Sequence, residues 1–348
     1  MHSDRPPARI RELIAFAALG SAMACAGSRA AEPPGPPLPD VVVLRIDRVD
    51  VAPTRPGTKD RWDGPVPASD GAECSLLAFG TGLLSPVVGK GVGLICDVSS
   101  KTPQVEKDAT NPDLQLRLAS GVTKHFESYV ERDATSHVFG YQFVVPVAAI
   151  PPDGLRLEIL DSDGADPAET MGVFRLYSQT LASAFSAPGG VTRLSDGAVR
   201  NVELVVSTYV PASITAKTFA ASEGPRALGI RPVIAGEIVS LRMRGDYTIG
   251  TWAYTSHIGP QGYPGNEGQG YNFAQEPFAT ALHACGIALI DSPRKVEGVV
   301  VGSARDFVIS TSGTLRAGLN DRDPSNNNGW VSVEGATRAP TVLEWSGG

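Results

Sequence analysis

Glycine and proline interrupt this chain along its whole length. Its 348 residues include 38 Gly and 28 Pro, and no long segment between them keeps the apolar period of a helix. Short runs alternate apolar and polar residues instead, as in VVVLRIDRVDV (41–51) and GLRLEIL (154–160). Such runs between turn residues are typical of strands, and the length suits about two domains. The chain is therefore predicted to be all-β, with two β-sandwich domains in tandem.

The charge balance argues against one class of partner. Asp and Glu outnumber Lys and Arg by 37 to 30, which gives a formal charge of −7 and a pI near 5.3. Because phosphate binding needs a clustered basic surface, nucleic acid is not expected to bind.

The N-terminus has the pattern of an export signal. Three arginines precede the apolar run LIAFAALGSAMA (13–24), which ends in small residues before Cys25. We expect residues 1–25 to be a signal peptide of a bacterial protein that is secreted or held in the cell envelope. Cys25 after small residues resembles a lipobox, which implies lipidation of Cys25, although Ala22 stands where Leu is usual. Residues 26–39 are predicted to be a Pro-rich linker.

A carboxylate-rich loop follows the strand predicted at 154–160. Asp161, Asp163 and Glu169 lie in DSDGADPAETMG (161–172), where several carboxylates could share a cation. With Gly172 they match the D-x-D-x5-D-x-x-G spacing of the C2 domain, a β-sandwich family that binds calcium and phospholipid. Two upstream segments resemble other motifs of that family: Thr110-Asn111-Pro112-Asp113 and Phe139-Gly140-Tyr141-Gln142-Phe143.

The resemblance implies that residues 40–210 form a C2-like β-sandwich with a calcium site and access to a membrane surface. Its ligands would be Asp161, Asp163, Glu169 and a first-loop aspartate, either Asp60 or Asp63. Asn111 and Glu169 stand where the family has Asp.

A cysteine-bracketed apolar segment lies inside this predicted domain. Cys74 and Cys96 flank SLLAFGTGLLSPVVGKGVGLI (75–95), and we predict that they form a disulfide. Five glycines and Pro86 argue against a membrane-spanning helix here. Two interpretations stay open: a flap packed on the sandwich, or a membrane-inserting tip, because in the C2 family this loop lies at the membrane-facing end. Cys285 is predicted to be a buried free thiol in an apolar strand.

Two polar loops interrupt the predicted strands of residues 213–346. They are GPQGYPGNEGQG (259–270) and LNDRDPSNNNGW (319–330). Asn, Asp, Pro and Ser are ordinary turn formers, but closely spaced Asp and Asn also gather hard oxygen ligands for calcium. In this order the loops resemble the sugar loop G-P-Q-G-x3-H-x2-Q and the calcium loop N-D…N-N-S-G of the PA-IL-type galactose-binding lectins.

This second resemblance implies a PA-IL-like lectin β-sandwich that binds a galactose-like glycan through Ca²⁺. Two sugar hydroxyls would complete the metal shell, and Asn266 stands where the family has His. The implied metal ligands are Asp321, Asn326, Asn327 and a carbonyl near Tyr254, and the implied sugar contacts are Gln269, Asn266 and Asp321. The pair Asn327–Asn328 is an alternative register, and Tyr247 is an alternative to Tyr254.

No motif of a catalytic site occurs. The chain has neither G-x-S-x-G nor H-E-x-x-H, and no two of its five histidines have metal-ligand spacing. We therefore predict a protein that is not an enzyme: an exported, surface-tethered carbohydrate-binding protein. The alternative is a structural, assembly or membrane-associating protein whose sandwiches bind protein or lipid. Homo-oligomer formation, as in many lectins, stays open.

Overall fold

The computed structural model describes residues 36–58, 61–62, 111–162, 167–250, 257–265, 270–343 and 345. The chain divides into two compact units, Met1–Pro36 and Pro37–Gly348, and all strands given below lie in the second unit. Nine residues with a predicted role lie outside the described ranges: Cys25, Asp60, Asp63, Cys74, Cys96, Asp163, Tyr254, Asn266 and Gln269.

The first half of the described chain forms two four-stranded sheets. Its elements are β1 (Val41–Val51), β2 (Leu114–Ser120), β3 (Thr123–Glu127), β4 (Ser136–Pro146), β5 (Leu155–Asp161), β6 (Glu169–Leu176), α1 (Ser178–Ser186), β7 (Val191–Asp196) and β8 (Val199–Thr208). One sheet has the order β4-β1-β8-β7 and the other β3-β2-β5-β6. Short 3-10 helices lie at Val147–Ala149 and Pro188–Gly190.

The second half forms two further four-stranded sheets. Its strands are β9 (Ser213–Ala220), β10 (Arg226–Ala227), β11 (Ile238–Thr248), β12 (Gly286–Asp291), β13 (Val296–Val300), β14 (Ala304–Val308), β15 (Thr314–Leu319) and β16 (Asn328–Arg338). The sheet orders are β14-β11-β16-β9 and β10-β15-β12-β13. A 3-10 helix, Pro324–Asn326, precedes β16. Every pairing between these strands is antiparallel, so the all-β prediction is confirmed.

Each pair of sheets encloses one apolar core. In β2, Leu114, Leu116 and Leu118 are buried while Gln115 and Arg117 between them are half-buried, as expected for a strand with one face on a core. The first core combines residues from both sheets of the first half, and the second core does the same for the second half. The protein therefore contains two β-sandwiches. None of the helices in the described ranges has the length and apolar character to cross a membrane.

The end of the chain packs into the first sandwich. Trp345 is fully buried in the first core, its ring lies 5.1 Å from the Phe143 ring, and Nε1 donates a hydrogen bond to the Val144 carbonyl at 3.1 Å. The predicted second domain, 213–346, thus includes a residue whose side chain belongs to the core of the first. Val144 also donates its N–H to the Ala235 carbonyl at 2.8 Å. The two sandwiches share contacts at both places.

A buried ion pair lies beside this junction. The Glu237 side chain is fully buried, accepts a hydrogen bond from the Ile234 N–H at 2.6 Å and pairs with Arg231. The Arg231 guanidinium also donates to the Val210 carbonyl at 2.6 Å and lies over the Tyr209 ring. Because a buried carboxylate needs its partner, this pair fixes the segment that connects the sandwiches. Burial raises the pKa of the Tyr209 hydroxyl to about 12.

Candidate functional site

One short segment joins the two polar loops predicted from the sequence. This hub segment (His283–Gly286) leads directly into β12. On one side it binds the first loop: Tyr263 donates its N–H to the His283 carbonyl at 2.9 Å, and Gly286 donates to the Pro260 carbonyl at 2.8 Å. The segment GPQG is therefore held by backbone hydrogen bonds and not by its side chains alone.

On its other side the hub segment binds the second loop. Ala284 donates its N–H to the Asn320 carbonyl at 3.0 Å, and Asn320 donates its N–H to the Cys285 carbonyl at 2.8 Å. The Asn320 side chain is fully buried, and its amide nitrogen donates to the carbonyls of Phe278 at 2.9 Å and Leu282 at 3.3 Å. Asn320 thus acts as an anchor that positions Asp321, the next residue. The hub segment therefore hydrogen-bonds to parts of both loops, although the loops are far apart in sequence.

The hub segment has an unusual backbone conformation. Ala284 has a φ of 54°, which costs a residue with a Cβ roughly 1 kcal/mol or more. Its hydrogen bonds offset this cost, since the Tyr247 hydroxyl lies 2.8 Å from both the Ala284 and the Gly259 carbonyl oxygens. Tyr247 is fully buried and its own carbonyl accepts the Ile258 N–H at 2.8 Å. Tyr247, the predicted alternative to Tyr254 as a metal ligand, therefore holds the first loop in place through these hydrogen bonds.

Cys285, the third residue of the hub segment, is a buried free cysteine. Burial raises the pKa of its thiol to about 11. The thiol is therefore protonated at neutral pH and contributes packing instead of chemistry. The predicted buried free thiol is found, but Cys285 lies just before β12 and not in a strand as expected.

The glycines of both motifs are required by close packing. Gly262 has a φ of 89°, and a Cβ there would lie 2.9 Å from the Cβ atoms of Leu282 and Cys285. Gly329 has a φ of 113°, and a Cβ would collide with the Asp246 carbonyl. A side chain at either position would push the loop off its support. These contacts explain Gly262 of G-P-Q-G and Gly329 of N-N-N-G.

Asp321 and Asn327 meet in a nearly dry position. Asp321 is 4 % exposed and Asn327 is 6 % exposed. Asp321 Oδ1 accepts the Asp323 N–H at 2.9 Å, and Oδ2 accepts the Asn327 amide nitrogen at 2.9 Å. Among the described residues, Asn327 Oδ1 is buried without a hydrogen-bond partner. Leaving such an oxygen unsatisfied costs about 1–3 kcal/mol, so a donor or a cation beside it would be stabilising.

Sequence reasoning missed one side chain of this site. His283 is buried with Nδ1 3.0 Å from Asn272 Oδ1 and Nε2 3.9 Å from Asp321 Oδ2. Burial lowers the pKa of the imidazole, and the negative charge of Asp321 opposes that effect. The available signal was a histidine inside the apolar run ALHACGIALI, since a buried ring nitrogen needs a polar partner.

An exposed aromatic ring lies beside this histidine. Tyr271 is 56 % exposed, and its ring centroid lies 5.6 Å from that of His283. The Tyr271 carbonyl accepts the Arg322 N–H at 2.8 Å, which ties its backbone to the loop that carries Asp321. The site therefore combines a buried polar group with an apolar face open to solvent.

Asn326 and Asn328, the other asparagines considered as metal ligands in this loop, do not hydrogen-bond to Asp321 in the described structure. Asn326 belongs to the 3-10 helix, and it and Asn328 are exposed. Within the described ranges, no hydrogen bond joins either side chain to Asp321. Asn327, which both sequence registers include, is the asparagine that the structure brings to Asp321.

The carboxylates of the predicted C2-like site have separate partners. Asp161 and Glu169 are cross-strand neighbours in β5 and β6. Asp161 is 1 % exposed and its Oδ1 accepts the Asp113 N–H at 2.7 Å, whereas Glu169 forms an ion pair with Arg55 at 2.9 Å. Asp161 therefore holds the residue just before β2 in place. The charge of Glu169 is balanced by Arg55.

The donor types at Asp321 fit calcium. In the described part of the chain, no group of three or more His, Cys, Asp or Glu side chains could hold a metal ion. A metal site there would rely on amide or carbonyl oxygens, which calcium accepts readily. Asp321 supplies charge, and the unsatisfied Asn327 Oδ1 supplies a neutral hard oxygen. The Asn327 atom that lies 2.9 Å from Asp321 Oδ2 is the amide nitrogen, so the amide would have to turn to offer its oxygen to an ion.

Comparison with known proteins gives similarities in structure only. No protein-family model and no curated protein matches the chain. One similar solved structure is the N-terminal domain of EclA, a PllA-like lectin, with 20 % identity and a TM-score of 0.27 over 36 % of this chain and 98 % of that chain. Another is a single C2 domain of plant extended synaptotagmin 1, with 9 % identity and a TM-score of 0.26 over 51 % and 98 %. The two C2 domains of extended synaptotagmin 2 match with 9 % identity and a TM-score of 0.29 over 97 % and 100 %.

Proposed function

We propose that this chain is an exported carbohydrate-binding protein that holds a galactose-like glycan through Ca²⁺ at the loop following β15. The observation that carries the proposal is the hub segment, His283–Gly286. It hydrogen-bonds to the GPQG loop on one side and to Asn320 on the other. This supports the proposal, because the described part of the first loop and the start of the second loop contact one segment although they are far apart in sequence.

The residues around Asp321 supply the protein's share of a metal shell. Asp321 provides the negative charge, and Asn327 provides an amide oxygen once its amide group turns by half a rotation. That rotation exchanges two atoms of nearly equal size, but it gives up the contacts of the amide nitrogen with Asp321 Oδ2 at 2.9 Å and the Ala221 carbonyl at 3.4 Å, so it would be favourable only with a cation bound. The bound ion would supply open coordination positions for two adjacent hydroxyls of a sugar. Gln269 and Asn266, from the first loop, would bind the outer hydroxyls.

Tyr271 completes the proposed site with an apolar surface. An aromatic ring can cover the C–H face of a sugar while the opposite edge of that sugar binds polar groups. Its 56 % exposure leaves the ring free to do this, and the backbone bond to Arg322 keeps it beside the loop.

The first sandwich is proposed to support the second. The contacts of Asp161 and Glu169 favour a structural role, and Trp345 links the two halves through the first core. The rival function is calcium-dependent membrane association through Asp60, Asp161, Asp163 and Glu169. Binding to anionic lipid vesicles in Ca²⁺, lost in Asp161→Asn, would support that rival.

We further propose that the signal at residues 1–25 exports the protein and that lipidation of Cys25 tethers it to the cell surface. The charged, apolar and small-residue succession supports this. Mass spectrometry of the mature protein from cells should show Cys25 as the first residue. A mature protein that retains Met1 would refute export by this signal.

The function is tested by glycan-array binding of the full chain with and without EDTA. We expect the wild-type protein to bind glycans with terminal galactose in Ca²⁺. This binding should be lost in EDTA and in the Asp321→Ala variant. Asp306→Ala is a matched control because Asp306 is an exposed carboxylate in the same sandwich, 60 % exposed and 3.5 Å from Arg338. No glycan binding, or binding that EDTA and Asp321→Ala leave unchanged, would favour the assembly-protein alternative.

A further inference from the structure

An open cavity of about 480 Å³ lies on the first sandwich, where β1, β7 and β8 meet. The register between β1 and β8 breaks at this point: Asp50 lies opposite Asn201 and Val51 lies opposite Val199, so Arg200 has no opposite residue in β1. An extra residue of this kind forms a β-bulge, which turns a side chain out of the regular alternation and is over-represented beside functional sites. Arg200 is thereby placed among the residues that line the cavity.

Two more residues of the cavity lining lie at breaks of register. Ser195 has no opposite residue in the pairing of β7 with β8, and Arg48 has none in the pairing of β1 with β8. Each break disrupts the ladder of backbone hydrogen bonds, and such bulges re-aim side chains. Three breaks around one cavity therefore favour a binding role for the side chains that they present.

Asp50, one of two carboxylates in the lining, already has donors on both oxygens. Its Oδ1 accepts hydrogen bonds from Arg48 Nε at 2.8 Å and from the Ser136 hydroxyl at 2.6 Å, and its Oδ2 accepts the Asn201 amide nitrogen at 3.1 Å. Burial alone would raise the pKa of the Asp50 carboxyl, but these hydrogen bonds and the charge of Arg48 lower it. Asp50 therefore stays ionised and orients Arg48.

Arg200 carries the charge of the cavity that has no counterpart. Glu203, the second carboxylate, lies opposite Arg193 across the strands and pairs with it at 3.5 Å. Arg200 is exposed, and among the described residues no hydrogen bond or ion pair engages its side chain. Three guanidiniums and two carboxylates leave the lining with one net positive charge, in a chain whose formal charge is −7. Because a guanidinium has five N–H donors and Arg48 uses only Nε in the described structure, both Arg200 and Arg48 keep donors for a ligand.

We propose that this cavity binds a sugar acid, a pyranose that carries one carboxylate, at a site separate from the proposed galactose site. The single negative charge of the ligand balances the net charge of the lining, and a carboxylate matches the fork of the Arg200 guanidinium with two parallel hydrogen bonds. The sugar hydroxyls donate to Glu203 and accept from Arg48, so the carboxylates of the lining become acceptors instead of repelling groups. The volume lies in the usual range of small-molecule sites.

The test is a nuclear magnetic resonance titration of the ¹⁵N-labelled full chain with galacturonate in calcium-free buffer. We expect the backbone amides of Ser195 and Asn201 and the Nε–H of Arg200 to shift. The methyl ester of galacturonate keeps the hydroxyls and loses the charge, whereas acetate keeps the carboxylate and loses the hydroxyls, and each should bind at least about fivefold more weakly. Arg200→Gln should weaken galacturonate binding by about tenfold or more. Arg132→Gln is the matched control, because Arg132 is an exposed arginine of the same sandwich outside the cavity.

The comparison of the three ligands on the wild-type protein keeps the test valid if Arg200→Gln does not fold. No shift at the cavity, or equal galacturonate affinity in wild type and Arg200→Gln, would overturn the proposal. Binding of acetate or inorganic phosphate as tight as that of galacturonate would show a site for any small oxyanion and overturn the sugar assignment. Calcium-free buffer leaves the proposed galactose site empty of its ion, so this result and the glycan-array result are independent of each other.

Discussion

Oδ2 of Asp321 and Nδ2 of Asn327 lie 2.9 Å apart in a position where neither side chain is more than 6 % exposed. A buried carboxylate normally lies against a cation. Here the neighbour is a neutral amide whose oxygen has no partner in the described structure. Both oxygens of the carboxylate have hydrogen-bond donors, whereas the oxygen of the amide has none among the described residues.

Under the proposed function, we predict that metal binding depends on Asp321 more than on any other residue. Asp321→Ala removes charge and ligand together, and Asp321→Asn keeps the shape but loses the charge. We expect the first to abolish Ca²⁺ binding and the second to weaken it by about tenfold or more. Calorimetry on the full chain measures both. Arg322→Ala should change the affinity by less than about twofold, because exposed side chains without such contacts matter little. Equal Ca²⁺ affinity in wild type and Asp321→Ala would contradict the assignment.

Gln269 is predicted to bind sugar and not metal. Gln269→Ala should reduce galactose affinity by roughly 1–2 kcal/mol, as expected for one hydrogen bond lost at a partly desolvated site. Calorimetry with galactose, at saturating Ca²⁺, gives the sugar affinity. A parallel Ca²⁺ titration should show no change in Gln269→Ala. Loss of Ca²⁺ binding in this variant would assign Gln269 to the metal instead.

Tyr271 is predicted to stack on the sugar. Tyr271→Ala removes the exposed ring and should weaken galactose binding by about 0.5–1.5 kcal/mol, whereas Tyr271→Phe keeps the apolar face and should change it little. The two variants are compared by the quenching of intrinsic fluorescence on galactose titration, or by calorimetry. Equal losses in both would show that the hydroxyl, and not the ring face, makes the contact.

Trp345 is predicted to stabilise the first sandwich. Trp345→Ala should lower the free energy of unfolding by about 3–5 kcal/mol, because it opens a cavity in the core and leaves the Val144 carbonyl without its donor. Val342→Ala, at a 49 % exposed position nearby, should cost less than about 0.5 kcal/mol. Urea unfolding measures both variants. Equal midpoints would mean that the indole does not contribute to the core.

The Cys74–Cys96 disulfide is also testable, although both cysteines lie outside the described residues. Closing a loop of this length stabilises by about 3 kcal/mol in the chain-entropy model. Peptide mapping of the exported protein without reduction should recover the two cysteines linked. Free thiols at both positions would refute the pairing.

Local pattern was enough to predict several strands and the two loops. Alternation in LRLEIL predicts β5, and the turn-rich motifs end where Gly262 and Gly329 allow close packing. The role of His283 could not be predicted, because its partners Asn272 and Asp321 lie 11 and 38 residues away and meet it only across folded sheets. The start of β12 was also not predictable: Cys285 was expected in a strand, but β12 begins at Gly286 after the turn at Ala284.

The position of Trp345 has a consequence for how the protein is made. Domains of a growing chain generally fold in order from the N-terminus as they leave the ribosome. Here the earlier sandwich has a core whose largest fully buried side chain belongs to residue 345. That core cannot reach its final packing until translation has passed residue 345, so the sandwich that is synthesised first is completed last.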